Sequence, residues 1–133
     1  MLKSMLIAGA GGFVGTCLRY LVGVFARQWF SDAYPLGKYF VNFPLGTFIA
    51  NILGCLIIGL VFGLSEKTGL LSSNHVLLLA TGFCGGFTTF SAFANETLLL
   101  TAKGDTLTAA VYLLASVVLG ILCVWLGRAL ISG

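Results

Sequence analysis

The sequence has very few charged residues. Of its 133 residues, seven are Lys or Arg and four are Asp or Glu, so only 8% of the side chains are charged. A soluble domain usually carries about 25% charged residues, and so few charges cannot cover a water-facing surface of this size. Disordered chains are polar and highly charged, so disorder is excluded for the same reason. The low charge therefore predicts an integral membrane protein.

Residues that bind metals or act as nucleophiles are also scarce. There is one histidine, His75, and no CxxC spacing. The four cysteines all lie in apolar stretches: Cys17, Cys55, Cys84 and Cys123. We expect them to be small buried residues, not disulfide partners or zinc ligands. An intramembrane enzyme would need a nucleophile with a base, or paired carboxylates. Glu96 has no acidic partner and His75 falls at the edge of an apolar run, so the sequence disfavours an enzyme.

Hydrophobic residues make up 59% of the chain, and the mean hydropathy is +1.07. A spanning helix needs about 20 mostly apolar residues at about 1.5 Å each. We place four such spans at residues 4–27, 45–65, 75–100 and 106–129. The prediction is an all-α membrane protein in which residues 1–133 form a single four-helix transmembrane domain. A cleaved signal peptide is the alternative for the N-terminus, although Arg19 interrupts that apolar run.

Lys and Arg are divided evenly between the two ends of the predicted spans. Four helices place both termini on one side of the membrane, with Lys3, Lys67 and Arg128. The opposite side holds Arg27, Lys38 and Lys103. Orientation normally follows the side that is richer in Lys and Arg. We therefore expect copies to insert in both orientations; the alternative is that local context fixes one of them.

Glycine is abundant, with 18 residues, about twice the usual ~7%. Three pairs have the spacing that lets helices approach closely: Gly11/Gly15, Gly59/Gly63 and Gly82/Gly86. Four short helices packed together leave no lumen, so transport would need more than one copy. Two oppositely inserted copies would form an antiparallel, dual-topology homodimer with its two-fold axis in the membrane plane.

Polar residues recur on single faces of the second and fourth predicted spans. Thr47, Asn51 and Gly54 fall at i, i+4 and i+7, and Tyr112 and Ser116 at i and i+4. An intramembrane Asn often serves only to hold helices together, and hydroxyls can bond backbone carbonyls. The other interpretation is that these amide and hydroxyl groups are donors to an anion.

The third predicted span contains the most informative segment, TGFCGGFTTFSAF at residues 81–93. Its glycines and paired threonines oppose a continuous helix, so we expect this helix to be broken in mid-membrane. Carbonyls freed by such a break are natural ligands for cations, especially Na⁺. Phe90 and Phe93 follow at i and i+3; they are either ordinary packing or ring edges that meet an anion.

Two charged residues lie close to these polar faces. Arg19 could extend to the membrane interface, or it could line the mouth of an anion pathway. Glu96 follows Phe93 on the same side of the helix, and it is either an interfacial carboxylate or a residue of the mouth.

Three segments together resemble the Fluc (CrcB) family of small fluoride channels. They are GGFVGTCLRY (11–20), FPLGTFIANILG (43–54) and GFCGGFTTFSAFANE (82–96), and the resemblance covers all four spans. It implies two antiparallel chains with two fluoride pores in a bacterial inner membrane. It also implies a structural Na⁺ ion, not transported, at the dimer centre.

The resemblance also implies roles for individual residues. The backbone carbonyls of Gly85 and Thr88 would hold the Na⁺ ion. Asn51 would line the pore, with Phe90 and Phe93 as an aromatic ladder. A polar track would consist of Ser91, Thr47, Tyr112 and Ser116, with Arg19 in the vestibule. Family members often carry a hydroxyl residue where this chain has Ala92, which puts one contact of the polar track in doubt.

The sequence is also compatible with two other functions. A small multidrug-type, proton-coupled antiporter is also a four-span, dual-topology dimer, but it needs an embedded carboxylate early in the chain. The first two predicted spans contain no Asp or Glu. A structural membrane adaptor is the remaining alternative. We expect a passive channel whose partners are fluoride, the lipid bilayer and a second copy, with no nucleic acid.

Overall fold

Four helical segments dominate the structure. The computed structural model describes residues 1–29 and 42–133. Its elements are α1 (Leu2–Trp29), α2 (Leu45–Thr68), α3 (Ser73–Val76), a π-helical segment (Leu77–Cys84), α4 (Gly85–Phe87), α5 (Phe90–Ala102) and α6 (Thr106–Ser132). We call Ser73–Ala102 the third span. Within the described residues, α1, α2, the third span and α6 are long and apolar enough to cross a membrane. The prediction of an all-helical protein with four spans is confirmed. Lys38, one of the residues counted when Lys and Arg were compared between the two sides of the membrane, lies outside the described residues.

Local sequence explains where the helices begin and end. Pro44 precedes α2 as its N-cap residue, where its missing N–H is not needed. Gly69 ends α2 in the left-handed conformation, with φ of 64°, and its N–H donates to the Ser65 carbonyl. Asp105 begins α6, and its carboxylate accepts the Thr108 N–H at 3.3 Å. The connections on either side of the third span are therefore short, and the third span runs antiparallel to both α2 and α6.

Glycines set the contact between α1 and the third span. A Cβ atom added at Gly11 would overlap the Leu78 carbonyl oxygen, and one at Gly15 would overlap the Phe83 carbonyl oxygen. From the other side, a Cβ at Gly82 would lie 2.6 Å from the Ala8 carbonyl oxygen. Backbone therefore packs against backbone along this interface, as the small-xxx-small spacing predicts, and the contact is within one chain.

The second glycine-lined contact joins α2 to α6, which run parallel. A Cβ at Gly59 would overlap the Val124 carbonyl oxygen, and one at Gly127 would lie 2.6 Å from the Leu56 carbonyl oxygen. The C-terminal ends of α2 and α6 lie close together, and there Arg128 Nη1 donates to the Glu66 carboxylate at 2.8 Å.

Large apolar side chains point outward over much of the described surface. Phe13, Trp125 and Leu130 are all more than half exposed, and no described polar or charged residue is buried. This distribution is that of a protein whose solvent is lipid. Three cysteines are at least partly buried, but Cys17 is exposed on α1, so the expectation of four buried cysteines is wrong there. Cys17 lies two residues after the buried Gly15, on a part of α1 where residues 16–18 are all exposed.

Candidate functional site

The third span is interrupted at two residues. Thr88 (φ −96°, ψ 157°) and Thr89 (φ −151°, ψ 114°) have extended backbones between the end of α4 and the start of α5. In a continuous α-helix the Thr89 N–H would donate to the Gly85 carbonyl and the Ala92 N–H to the Thr88 carbonyl. Here Thr89 N–H donates to Asn51 Oδ1 at 2.8 Å, and Ala92 N–H donates to Thr89 Oγ1 at 3.2 Å. Both carbonyls therefore lose their helical donors.

Asn51 holds this interruption from the neighbouring helix α2. Its Oδ1 accepts the Thr89 N–H, and its Nδ2 donates to the Thr89 carbonyl at 3.2 Å. The side-chain amide thus satisfies both backbone groups of one residue. A primary amide carries two N–H bonds, and no second acceptor for Nδ2 lies among the described residues. One N–H of Asn51 is therefore free to meet a ligand.

A cleft of about 430 Å³ opens beside the interruption. It is bounded by α2, the third span and α6. Its lining includes Asn51, Gly85, Thr88, Phe90, Phe93 and Ser116. The Ser116 hydroxyl is buried and has no hydrogen-bond partner within residues 1–29 and 42–133. An unsatisfied buried hydroxyl costs about 1–3 kcal/mol. A ligand that accepts a hydrogen bond from this hydroxyl would therefore stabilise the site.

Three aromatic rings follow one another from this cleft. The centroids of Phe90 and Phe93 are 5.8 Å apart, and those of Phe93 and Tyr112 are 5.0 Å apart. Phe93 and Tyr112 are buried, whereas Phe90 is 80% exposed. The ring of Phe90 thus stands at the open side of the cleft, where no other described residue covers it.

Two of the predicted polar-track residues make a separate cluster with Glu96. Thr47 Oγ1 donates to Glu96 Oε1 at 2.6 Å, and the Tyr112 hydroxyl donates to Oε2 at 2.8 Å. These hydroxyls bind the carboxylate here and do not line the cleft. Glu96 is only partly exposed, so the two bonds compensate part of its loss of water.

Arg19 contacts the end of α4 from helix α1. Its Nε donates to the Gly86 carbonyl at 3.1 Å, and Thr16 Oγ1 lies 3.4 Å from the same oxygen. In a continuous helix Phe90 N–H would occupy that carbonyl. A cation at a helix C-terminus is electrostatically favourable, so Arg19 stabilises the interruption. Ser91 lies outside the cleft: it is exposed, with its Oγ 3.3 Å from Thr89 Oγ1.

The sequence analysis did not predict that Thr89 caps α5 or that the Gly86 carbonyl accepts hydrogen bonds from side chains of α1. A usable signal for Thr89 was present, because a threonine three residues before Ala92 and ahead of an apolar helix is typical of an N-cap. No residue pattern identifies a backbone carbonyl that two side chains from another helix will reach, so the role of Gly86 required the structure.

Comparison with known proteins assigns the family. Residues 6–128 match the family model described as CrcB-like protein, Camphor Resistance (CrcB). The chain belongs to the CrcB family. A curated relative from Prosthecochloris aestuarii is 43% identical over 128 residues, which cover 96% of this chain and 92% of the relative. One from Methylobacillus flagellatus is 41% identical over 132 residues, 99% and 96% of the two chains. A third, from Clostridium perfringens, is 47% identical over 100 residues, 75% and 71% of the two chains.

Each of these three relatives is named "Fluoride-specific ion channel FluC". The resemblance to this family stated from the three sequence segments is confirmed. Membership together with the four spans makes this CrcB protein a multi-pass bacterial membrane protein. A family of ion channels is also consistent with a protein that is not an enzyme.

Proposed function

We propose that this CrcB protein is a fluoride-specific channel through which the ion leaves the cell passively, lowering cytoplasmic fluoride and its toxicity. The observation that carries the proposal is the convergence of uncharged donors on one cleft. A free N–H of Asn51, the unpaired hydroxyl of Ser116 and the rings of Phe90 and Phe93 all belong to that cleft. The names of the curated relatives support fluoride as the ion.

The chemistry of this lining suits a small anion. Fluoride is strongly hydrated, so a pathway must replace its water with converging hydrogen-bond donors. Amide N–H, hydroxyl groups and the positive edges of aromatic rings can do so and remain weak enough to release the ion. A lysine among the lining residues would bind the ion more firmly, and the cleft has none. Chloride is larger and a poorer acceptor, so it would gain less from the same donors.

The exposed ring of Phe90 supports an assembly of two copies. A pathway needs walls on every side, and in the single chain this ring is 80% exposed. We propose that a second, antiparallel copy provides the missing wall. The equal numbers of Lys and Arg assigned to the two sides favour insertion in both orientations.

A sodium ion at the dimer axis fits the geometry of the interruption. The carbonyls of Gly85 and Thr88 have lost their helical donors, and backbone carbonyl oxygens are suitable ligands for Na⁺. Gly85 is exposed, and a Cβ there would meet no atom within 4 Å, so a second copy could approach it. We propose that Gly85 and Thr88 of two copies hold the ion. Its charge would offset part of the desolvation cost of fluoride and stabilise the dimer.

The experiment is efflux from proteoliposomes, recorded with fluoride and chloride electrodes. Fluoride should leave rapidly when a K⁺ ionophore dissipates the potential, and chloride should remain inside. Equal leakage of both halides would contradict the proposal, as would a purified protein that is a solitary subunit inserted in one orientation. Selective efflux of fluoride would also contradict the alternative of a multidrug-type antiporter, because that class exchanges protons for cations.

A further inference from the structure

A second cleft, remote from the interruption, lies at the end of the molecule that holds both chain termini. Its volume is about 580 Å³, and it separates the beginning of α1 from the beginning of the third span. The apolar part consists mainly of Leu6, Ile7, Ala10 and Leu78. The polar residues at its rim are Lys3, Asn74 and His75. Because both helices cross the membrane, the rim lies toward the headgroups and the apolar part lies toward the acyl chains.

Lys3 has a charge that no described residue pairs with. At this end of the molecule Arg128 is paired with Glu66, and Lys67 Nζ donates to the Ile131 carbonyl. Lys3 forms no ion pair or hydrogen bond with residues 1–29 or 42–133. An ammonium group at the rim of an apolar cleft complements a ligand that carries a negative head on an apolar tail.

His75 adds a donor whose tautomer follows from its contacts. The Ser72 N–H donates to His75 Nδ1 at 3.2 Å, and Ser72 Oγ lies 3.0 Å from the same nitrogen. An amide N–H can only donate, so Nδ1 is the acceptor and the ring proton resides on Nε2. The exposed imidazole thus presents its Nε2–H as a donor at the rim.

We infer that this cleft binds one anionic phospholipid, independently of the proposed channel function. The phosphate would accept hydrogen bonds from Lys3 and His75, and one acyl chain would lie along Leu6 and Leu78. Neutral phospholipids carry a positive group that Lys3 would repel, so the net negative charge of the head is the feature selected.

The test is a lipid titration of delipidated, purified protein, with bound lipid counted by native mass spectrometry. Dioleoylphosphatidylglycerol should bind more tightly than dioleoylphosphatidylcholine, and inorganic phosphate should not displace it. Lys3→Gln should weaken binding of the anionic lipid about tenfold, the usual effect of one charge-assisted hydrogen bond. The matched control is Lys103→Gln, at an exposed residue that ends α5 at the other side of the membrane; it should leave binding unchanged.

A second variant probes the apolar part of the cleft without changing any charge. Ala10 is exposed on α1, so Ala10→Trp should fold and fill the space intended for the acyl chain, and it should weaken lipid binding as Lys3→Gln does. The inference would be overturned if the two lipids bound equally, if Lys3→Gln and Lys103→Gln had the same effect, or if phosphate alone displaced the lipid.

Discussion

Asn51→Asp is the sharpest single test of the proposed pathway. The change is nearly isosteric and keeps an oxygen that accepts the Thr89 N–H, now bonded at 2.8 Å. It replaces the Nδ2 donor by a second oxygen, which then faces the Thr89 carbonyl at the present distance of 3.2 Å. It also places a negative charge in the lining of the cleft.

The expected effect on conduction is large. At about 4 Å, two unit charges of like sign repel by about 4 kcal/mol if the effective dielectric constant is about 20. Each 1.4 kcal/mol corresponds to a factor of about ten, so fluoride entering the cleft should be disfavoured about a thousandfold. The lost hydrogen bond to Thr89 adds about 1 kcal/mol to the cost of holding the interruption.

The assay is fluoride efflux from proteoliposomes that contain equal amounts of folded protein. Asn95→Asp is the matched control, because Asn95 is exposed on α5 and lies outside the cleft. The control should conduct as the unmodified protein does, whereas Asn51→Asp should fall to the background rate. If Asn51→Asp were folded and conducted within about threefold of the unmodified protein, Asn51 would not line the ion's path.

Three further outcomes are expected. Replacing Phe90 and Phe93 together by isoleucine should abolish fluoride efflux and leave the proposed dimer assembled on size-exclusion chromatography, because isoleucine keeps the apolar bulk but has no ring edge. If efflux were retained, the two rings would serve only in packing. Exchanging Na⁺ for a large organic cation should inactivate the purified protein, and full activity in that medium would argue against the proposed cation site. Gly15→Ala should lower the free energy of unfolding by about 1–3 kcal/mol, since the added Cβ would overlap the Phe83 carbonyl oxygen. The control Gly9→Ala should be neutral or stabilising, because a Cβ there meets no atom within 4 Å. Equal shifts in the melting temperatures of the two variants would contradict the packing described for α1.

The number and type of spans could be predicted from the sequence because the signal is strong and local. Most charges fall near the ends of apolar runs, and about 20 apolar residues suffice to cross a membrane. The π-helical geometry of Leu77–Cys84 was not predictable, because no residue pattern in the segment specifies hydrogen bonds between residues five apart instead of four.

The candidate site was predictable at the level of residue type but not of partners. Glycines and paired threonines indicated an interruption, and Asn51 was identified as a polar residue facing it. Its bidentate bond to Thr89 was not foreseen, because residues 38 positions apart have no shared local pattern. Likewise, Thr47 and Tyr112 were expected along an anion path, and their hydrogen bonds to Glu96 were not foreseen. Only the three-dimensional arrangement decides which acceptor a hydroxyl reaches.

The backbone-to-backbone contact between α1 and the third span determines how the wall behind the interruption can deform. Where Gly15 meets the Phe83 carbonyl and Gly82 meets the Ala8 carbonyl, no side chain can change rotamer to make room. The third span can therefore shift against α1 only as a whole helix, which disturbs more contacts than the rotation of one side chain. The stiffness of any pathway beside the interruption is then, on this side, a property of two backbones.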